Sequence, residues 1–422
     1  MDPQLVAALI AAGVGVLTLI GTLAAQYFGR RATSRDTRQT LKEQTRGQRE
    51  ALDKSLKEQR DQLDRTLAEQ RNRTLNERFI SSAAQLGDDK PPTVRLAGVY
   101  ALAGLADDWE ENRQTCVDVL CGYLRMPHDL GPGEDAGQAE LLAFRANREV
   151  RHTVVRVVAA HLRDGAATSW QGLNFDFTGV VFDGGDFSGA NFSGGLVDFG
   201  RAEFPTGRMD FTNCTFSGGR VSFWLATFSG GKVQFQNADF SGASVDFIRA
   251  RLSGGELRFD RARFSGGHVD FSGAQCAGAD VCFFNAQVSS SGRLGFHSTE
   301  FSDGLVRFNY AAINGELRFN QADFAGGKVD FTYSKFADGY LGFSLAKFRG
   351  SEVDFDGAEF SGSRVDFVGD FSPAKFTGAG MVDFSGVRDW SHPPQFPWTT
   401  SSPLWDSTQP ASVKLPTSDG LA

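Results

Sequence analysis

The stretch FSGGKVQFQNADFSG, Phe228 to Gly242, is repeated with small changes ninety-six residues later as FAGGKVDFTYSKFADG, Phe324 to Gly339. Between and beyond these copies a phenylalanine recurs every twelve residues, at Phe199, Phe211, Phe223, Phe235, Phe247, Phe259, Phe271 and Phe283. A one-residue insertion carries the column to Phe296 and Phe308. A one-residue deletion then carries it to Phe319, Phe331, Phe343, Phe355 and Phe367. A fixed short period held this long marks a solenoid, in which each unit buries its apolar face only against its neighbours. A β-sandwich rich in Phe would not hold such a phase.

The spacing inside the unit predicts strands. Ala238 and Phe240 stand two apart, as do Val245 and Phe247. In an extended chain each pair points the same way. Each twelve-residue unit therefore carries two short faces, each with a small or branched residue and then a Phe directed inward. Glycine and serine mark a corner between them, because glycine accepts positive φ without a Cβ clash.

Upstream the spacing tightens to five, at Phe177, Phe182, Phe187 and Phe192. Ala190-Asn191-Phe192-Ser193-Gly194, Ala238-Asp239-Phe240-Ser241-Gly242, Ala322-Asp323-Phe324-Ala325-Gly326 and Ala358-Glu359-Phe360-Ser361-Gly362 all follow one pattern. In these residues the chain resembles the pentapeptide-repeat family, with its A(D/N)LXX units. The resemblance implies an all-β right-handed quadrilateral β-helix over residues 171–385. Here five-residue spacing alternates with seven, so four faces are expected to take two units, about 24 residues per coil.

The N-terminus reads differently. Leu5 to Phe28 contains no charged residue, and its length suffices to cross about 30 Å of hydrocarbon as a helix. A cleaved signal peptide would want a basic leader, whereas this chain opens Met1-Asp2-Pro3. Residues 1–29 are thus expected to be a transmembrane anchor. Arg30, Arg31, Arg35 and Arg38 follow, and the positive-inside rule puts that end in the cytoplasm. Residues 30–76 form a long helical stalk containing TLKEQ, SLKEQ and TLAEQ at Thr40, Ser55 and Thr66. Its Leu41, Leu52, Leu56, Leu63 and Leu67 form a narrow stripe suited to a parallel coiled coil, and hence to a homo-oligomer. Residues 77–165 read as a small α-helical domain capping the first coil, with Leu96, Val99, Tyr100, Leu102 and Leu105 on one helix face. Residues 386–422 are expected to place Trp390, Phe396 and Trp398 over the last coil and to become disordered from Ser401.

No catalytic, cofactor-binding or metal-ligating constellation stands out. The Gly-Gly pairs recur at corners and open no helix, and the six histidines are scattered, His268 and His297 within the repeat. The five cysteines show no metal spacing, and Cys214 and Cys276 occupy inward slots. Net charge of −8 argues against nucleic acid as a partner. Asp198, Asp210, Asp246, Asp270, Asp330, Asp354 and Asp366 precede the main Phe and are expected to point outward. In the family this chain resembles, an acidic stripe implies a DNA mimic that binds a type II topoisomerase, but Gln234, Arg258, Arg307 and Arg318 interrupt this one. A carboxylate cluster for polysaccharide processing and TxT ladders for ice binding are both missing. The preferred expectation is a non-enzymatic, membrane-tethered scaffold that binds an unknown cytoplasmic protein. The alternative is a DNA mimic that modulates a topoisomerase.

Overall fold

The computed structural model describes residues 3–127, 130–133, 135–369, 372–399 and 408–417. The chain divides into two compact units, Met1–Glu77 and Arg78–Ala422. The first consists of one helix, α1, Pro3–Ala84, whose last residues enter the second unit. Its apolar segment Gln4–Gly29 is 26 residues long with mean hydropathy 2.3 and is unburied. Leu5 and Phe28 lie within that segment and are exposed. Farther along, Leu41, Leu52, Leu56, Leu63 and Leu67 are all exposed. The side chains of Arg30, Arg31, Arg35 and Arg38 lie outside the described residues.

In the second unit, α2 (Pro92–Asp108), α3 (Arg113–Arg125) and α4 (Gln138–Leu162) precede a parallel β-solenoid of about eight turns. Phe216, Phe240 and Phe264 stand in register on successive coils, so one coil takes 24 residues. Each coil has four faces. Taking one coil, face A is Leu196–Asp198, face B Glu203–Phe204, face C Arg208–Asp210 and face D Thr215–Phe216. Every neighbouring strand pair among these faces is parallel. At Gln275–Cys282 and Glu300–Arg307 strand pairing continues, with a register shift, through the corner between faces B and C, joining both faces into one sheet.

The corners differ in chemistry. Between A and B, and between C and D, the residue three after the main Phe donates its N–H to that Phe carbonyl from Phe199 to Phe355, as Ala202 does to Phe199 at 3.0 Å, whereas at Phe367 the donor is Ala374. The residue two after the Phe holds positive φ, in twelve cases without being glycine, from Ser298 at 53° to Gln321 and Leu345 at 60°. Positive φ at the third position alone is the type II signature. The Gly-Gly corners obey a stricter rule. Gly255 has φ of 73°, and a Cβ there would sit 2.3 Å from the Gly231 carbonyl oxygen of the coil before.

Inside, the rings stack coil on coil. Phe199, Phe223, Phe247 and Phe271 are separated by 4.7, 4.6 and 4.5 Å. Phe211, Phe235, Phe259 and Phe283 form the opposite column at 4.8, 4.9 and 4.8 Å. The two columns meet edge to face, as Phe235 and Phe247 do at 6.1 Å. Phe319, Phe331, Phe343, Phe355 and Phe367 continue both columns and are fully buried. Each ring contributes about 2 kcal/mol of transfer free energy. Where faces B and D carry Leu252, Cys276, Val288 and Ile313 in place of Phe, those residues are buried too.

Both ends are covered. Helix α4 packs on the first coil, where Gly185 leaves room for Val155; a Cβ there would lie 3.1 Å from the Val155 Cγ1. Asp183, buried, accepts from Arg148 Nε at 2.8 Å and pairs with His152 Nε2 at 3.0 Å. Trp170 Nε1 donates to Asp107 at 3.0 Å while its ring stacks on His161 at 3.9 Å. In α2, Val99, Leu102 and Leu105 are buried, but Tyr100 is 57 % exposed. Arg95 and Gly98 take the inner face instead, because the buried stripe runs through 95, 98–99, 102 and 105–106, centred roughly 150° from residue 100.

At the far end Phe396 stacks on Phe367 at 5.1 Å, Trp398 on Phe396 at 4.7 Å, and Trp390 meets Phe384 edge-on at 5.5 Å. The expectation of disorder from Ser401 needs correction. Residues 408–417 return to the body, and Val413–Lys414 pairs in parallel with Val382–Asp383 on face C. Val413 is buried and Lys414 reaches Asp383 at 3.1 Å, contacts that the Pro, Ser and Thr content masks. Residues 400–407 and 418–422 of that expectation lie outside the described residues.

Candidate interaction surface

The aspartate column does not form an open acidic stripe: Asp198, Asp210, Asp270, Asp330 and Asp354 lie on the outer face, partly exposed, with their carboxylates turned to the backbone. Oδ1 of Asp198 accepts the Gly200 N–H at 2.7 Å, and Asp210, Asp270, Asp330, Asp354 and Asp366 accept from the residue two positions on at 2.8–3.0 Å. These are Asx turns that secure the corner after six of the main Phe residues. Asp246 and Asp366 are buried, the first held by Arg220 Nε at 3.0 Å and Ser222 Oγ at 3.1 Å. Burial pushes the Asp270 carboxyl up, yet bonds from His268 and Ser272 hold it below its usual value. Along face C the charges pair between coils, Lys232 with Glu256 at 2.7 Å and Lys328 with Glu352 at 2.8 Å.

What stands clear of this pairing is aromatic. On the corner between faces C and D, Phe284 and Tyr310 meet edge-on at 5.7 Å, and Tyr310 stacks on Tyr333 at 5.0 Å. The Tyr333 ring lies over Gly357, where a Cβ would come within 2.4 Å of it, and the Arg388 guanidinium sits 4.9 Å above the same ring. Tyr310 is 52 % and Phe284 39 % exposed. Tyr310 and Tyr333 hold φ of 59° and 58°, in the column that also holds Gly189, Asn213, Asn237, Arg261, Asn285 and Gly357. Asn and Gly adopt that conformation most readily, so the backbone alone gives no reason for tyrosine here.

Face A carries a second feature. Gly295 and Gly342 stand in the column that holds Asp elsewhere; Gly295 lines a cleft of about 270 Å³ beside Arg318, the Tyr340 ring covers Gly342, and a second cleft of about 470 Å³ lies among Arg318, Asn320, Tyr340 and Arg364. Tyr340 is flanked by the guanidinium groups of Arg318 at 5.3 Å and Arg364 at 5.8 Å. His268 lines the smaller cleft and faces Asp270 at 3.7 Å, while His297 is exposed. These clefts are open and shallow, suited to a side chain of a partner rather than to chemistry.

Among the described residues no three His, Cys, Asp or Glu are placed to hold a metal. All five cysteines are buried free thiols. Burial pushes Cys214 and Cys276 up to about 12. The aromatic corner was missed by reading the inward columns alone. Its signal was present in Phe284 and in the FNYA and FTYS turns at Phe308 and Phe331, where an outward slot that is mostly polar turns apolar.

A search of curated proteins and a search of solved structures returned no match. Residues 177–227 and 223–275 match the family described as Pentapeptide repeats (9 copies). The same four-faced coil continues in register from there to Asp383. The solenoid of this chain is therefore a pentapeptide-repeat solenoid.

Proposed function

We propose that the chain is a non-enzymatic, membrane-tethered scaffold whose solenoid presents the Phe284–Tyr310–Tyr333–Arg388 corner to a cytoplasmic protein. The observation that carries this reading is the pair of partly exposed tyrosines kept in a left-handed conformation that asparagine fills elsewhere in the same column. Tyrosine and arginine supply most of the binding energy at protein interfaces, and strained side chains concentrate at functional positions. The apolar segment Gln4–Gly29 serves as the tether, and the arginines that follow it orient the remainder toward the cytoplasm. The exposed leucine stripe of α1 supports self-association through the stalk.

The alternative, a DNA mimic acting on a type II topoisomerase, needs a continuous acidic face. The aspartates bonded into corners and the arginines at 258, 307 and 318 weigh against it. A photo-crosslinking residue placed at Asn309, on the rim of the aromatic corner, tests the proposal in intact membranes. A discrete protein adduct that disappears in the Tyr310→Asn/Tyr333→Asn variant is expected. An adduct unchanged by that variant, or one with a topoisomerase, would count against it.

A further inference from the structure

The helical domain contains a cleft that the solenoid's role does not use. It measures about 560 Å³, a volume common for sites that take small molecules, and lies among α2, α3, α4 and the loop through Gly131, Pro132 and Gly133. Its floor is cationic. Arg95 is 8 % exposed and Arg151 7 %, and the neighbouring Tyr123 is 5 % exposed. Arg95 Nη1 donates to the Tyr123 hydroxyl at 3.3 Å and Nη2 to the Asn147 amide oxygen, while its Nε is buried with no hydrogen-bond partner. Arg151 Nη2 donates to the Val181 carbonyl at 3.0 Å.

Both acceptors of Arg95 are neutral, and no carboxylate of the described residues forms an ion pair with it. Asp183, on the far side of Arg151, is bonded by Arg148 and His152. A buried guanidinium is costly unless its charge is met and its donors are satisfied. Its planar fork matches a carboxylate or phosphate oxygen pair. At the mouth of the cleft stand Asp88 and Glu140, both exposed. They repel a second anionic group and favour an ammonium or hydroxyl at the outer end of a ligand.

We infer that this cleft binds a small organic oxyanion, its phosphate or carboxylate against Arg95 and Tyr123 and a cationic or neutral end between Asp88 and Glu140. Among the described residues no catalytic group stands beside it, so the role assigned is recognition.

The full chain, reconstituted in phosphatidylcholine nanodiscs, is titrated with phosphoethanolamine, inorganic phosphate and succinate while thermal unfolding and heats of binding are followed. Saturable stabilisation by phosphoethanolamine, stronger than by inorganic phosphate or succinate, is expected. Repeating the titration with phosphatidylethanolamine in the disc separates a lipid headgroup, which pre-empts the response, from a free solute, which does not. Arg95→Gln should abolish binding, and Tyr123→Phe, which keeps the ring in place, should weaken it at least tenfold. Should Arg95→Gln fail to fold, the Tyr123→Phe result decides alone. No saturable response to any of the three probes, or one that persists unchanged in Tyr123→Phe, overturns the inference.

Discussion

Replacing both tyrosines of the exposed corner, Tyr310→Asn with Tyr333→Asn, separates a binding role from a structural one. Left-handed backbone costs an ordinary side chain roughly 1–2 kcal/mol, and asparagine tolerates it better. The double change therefore relieves about 1 kcal/mol at each site. Against this, it removes a ring stack at 5.0 Å, worth about 0.5–1.5 kcal/mol beyond area. It also removes the contacts of Tyr333 with Gly357 and Arg388. The terms nearly cancel, so stability should change by no more than about 1 kcal/mol, about one to two degrees in Tm. A ring packed in the interior would cost about 3–5 kcal/mol on truncation. Thermal unfolding of the full chain in detergent, with hydrogen exchange on peptides spanning 305–336, reads the difference. Binding to the crosslinked partner should weaken at least about thirtyfold, the effect of losing one hot spot of 2 kcal/mol. A large fall in Tm, or undiminished partner capture, would refute the reasoning.

Phe235→Ala removes a ring stacked between Phe211 and Phe259 and touched edge-on by Phe223 and Phe247. It should cost about 3–5 kcal/mol, with faster hydrogen exchange centred on residues 211–259 because each coil is supported only by its neighbours. Gly255→Ala combines positive φ with a Cβ 2.3 Å from a carbonyl oxygen, and should destabilise by more than about 2 kcal/mol, measured as a shift in urea midpoint. The native chain should resist thiol reagents at pH 8, since burial holds Cys214 and Cys276 in the thiol form, and should react fully once unfolded. Leu56→Glu with Leu63→Glu should convert a stalk-mediated oligomer to monomer by sedimentation in detergent, and an unchanged mass would exclude the stalk as the contact.

The coil itself was legible because every inward residue repeats a local spacing. Phe235 to Phe247 identifies two faces, and four faces then require 24 residues. What escaped were features fixed by long-range pairing. Tyr100 belongs on a helix face by period, yet α3 and α4 lie toward Arg95, and Ser82 and Gln85 toward Gly98. Val413 has no periodic neighbour and finds its strand only because face C ends with an open edge at Val382. The aspartates look like surface charge in one dimension. Only the turn geometry shows that their carboxylates are spent on backbone N–H groups. Arg95 was invisible as an anchor for a ligand because its burial depends on three helices meeting.

The strand at Val413–Lys414 has a consequence for assembly. A bare last coil would present unpaired N–H and C=O groups in register, and a second copy could add to it and then a third, growing into a filament. The returning segment occupies that edge on face C, and Lys414 adds a charge to the exposed side. The tail thus works as a chain terminator: it keeps a rod that is half-way to a fibre from becoming one.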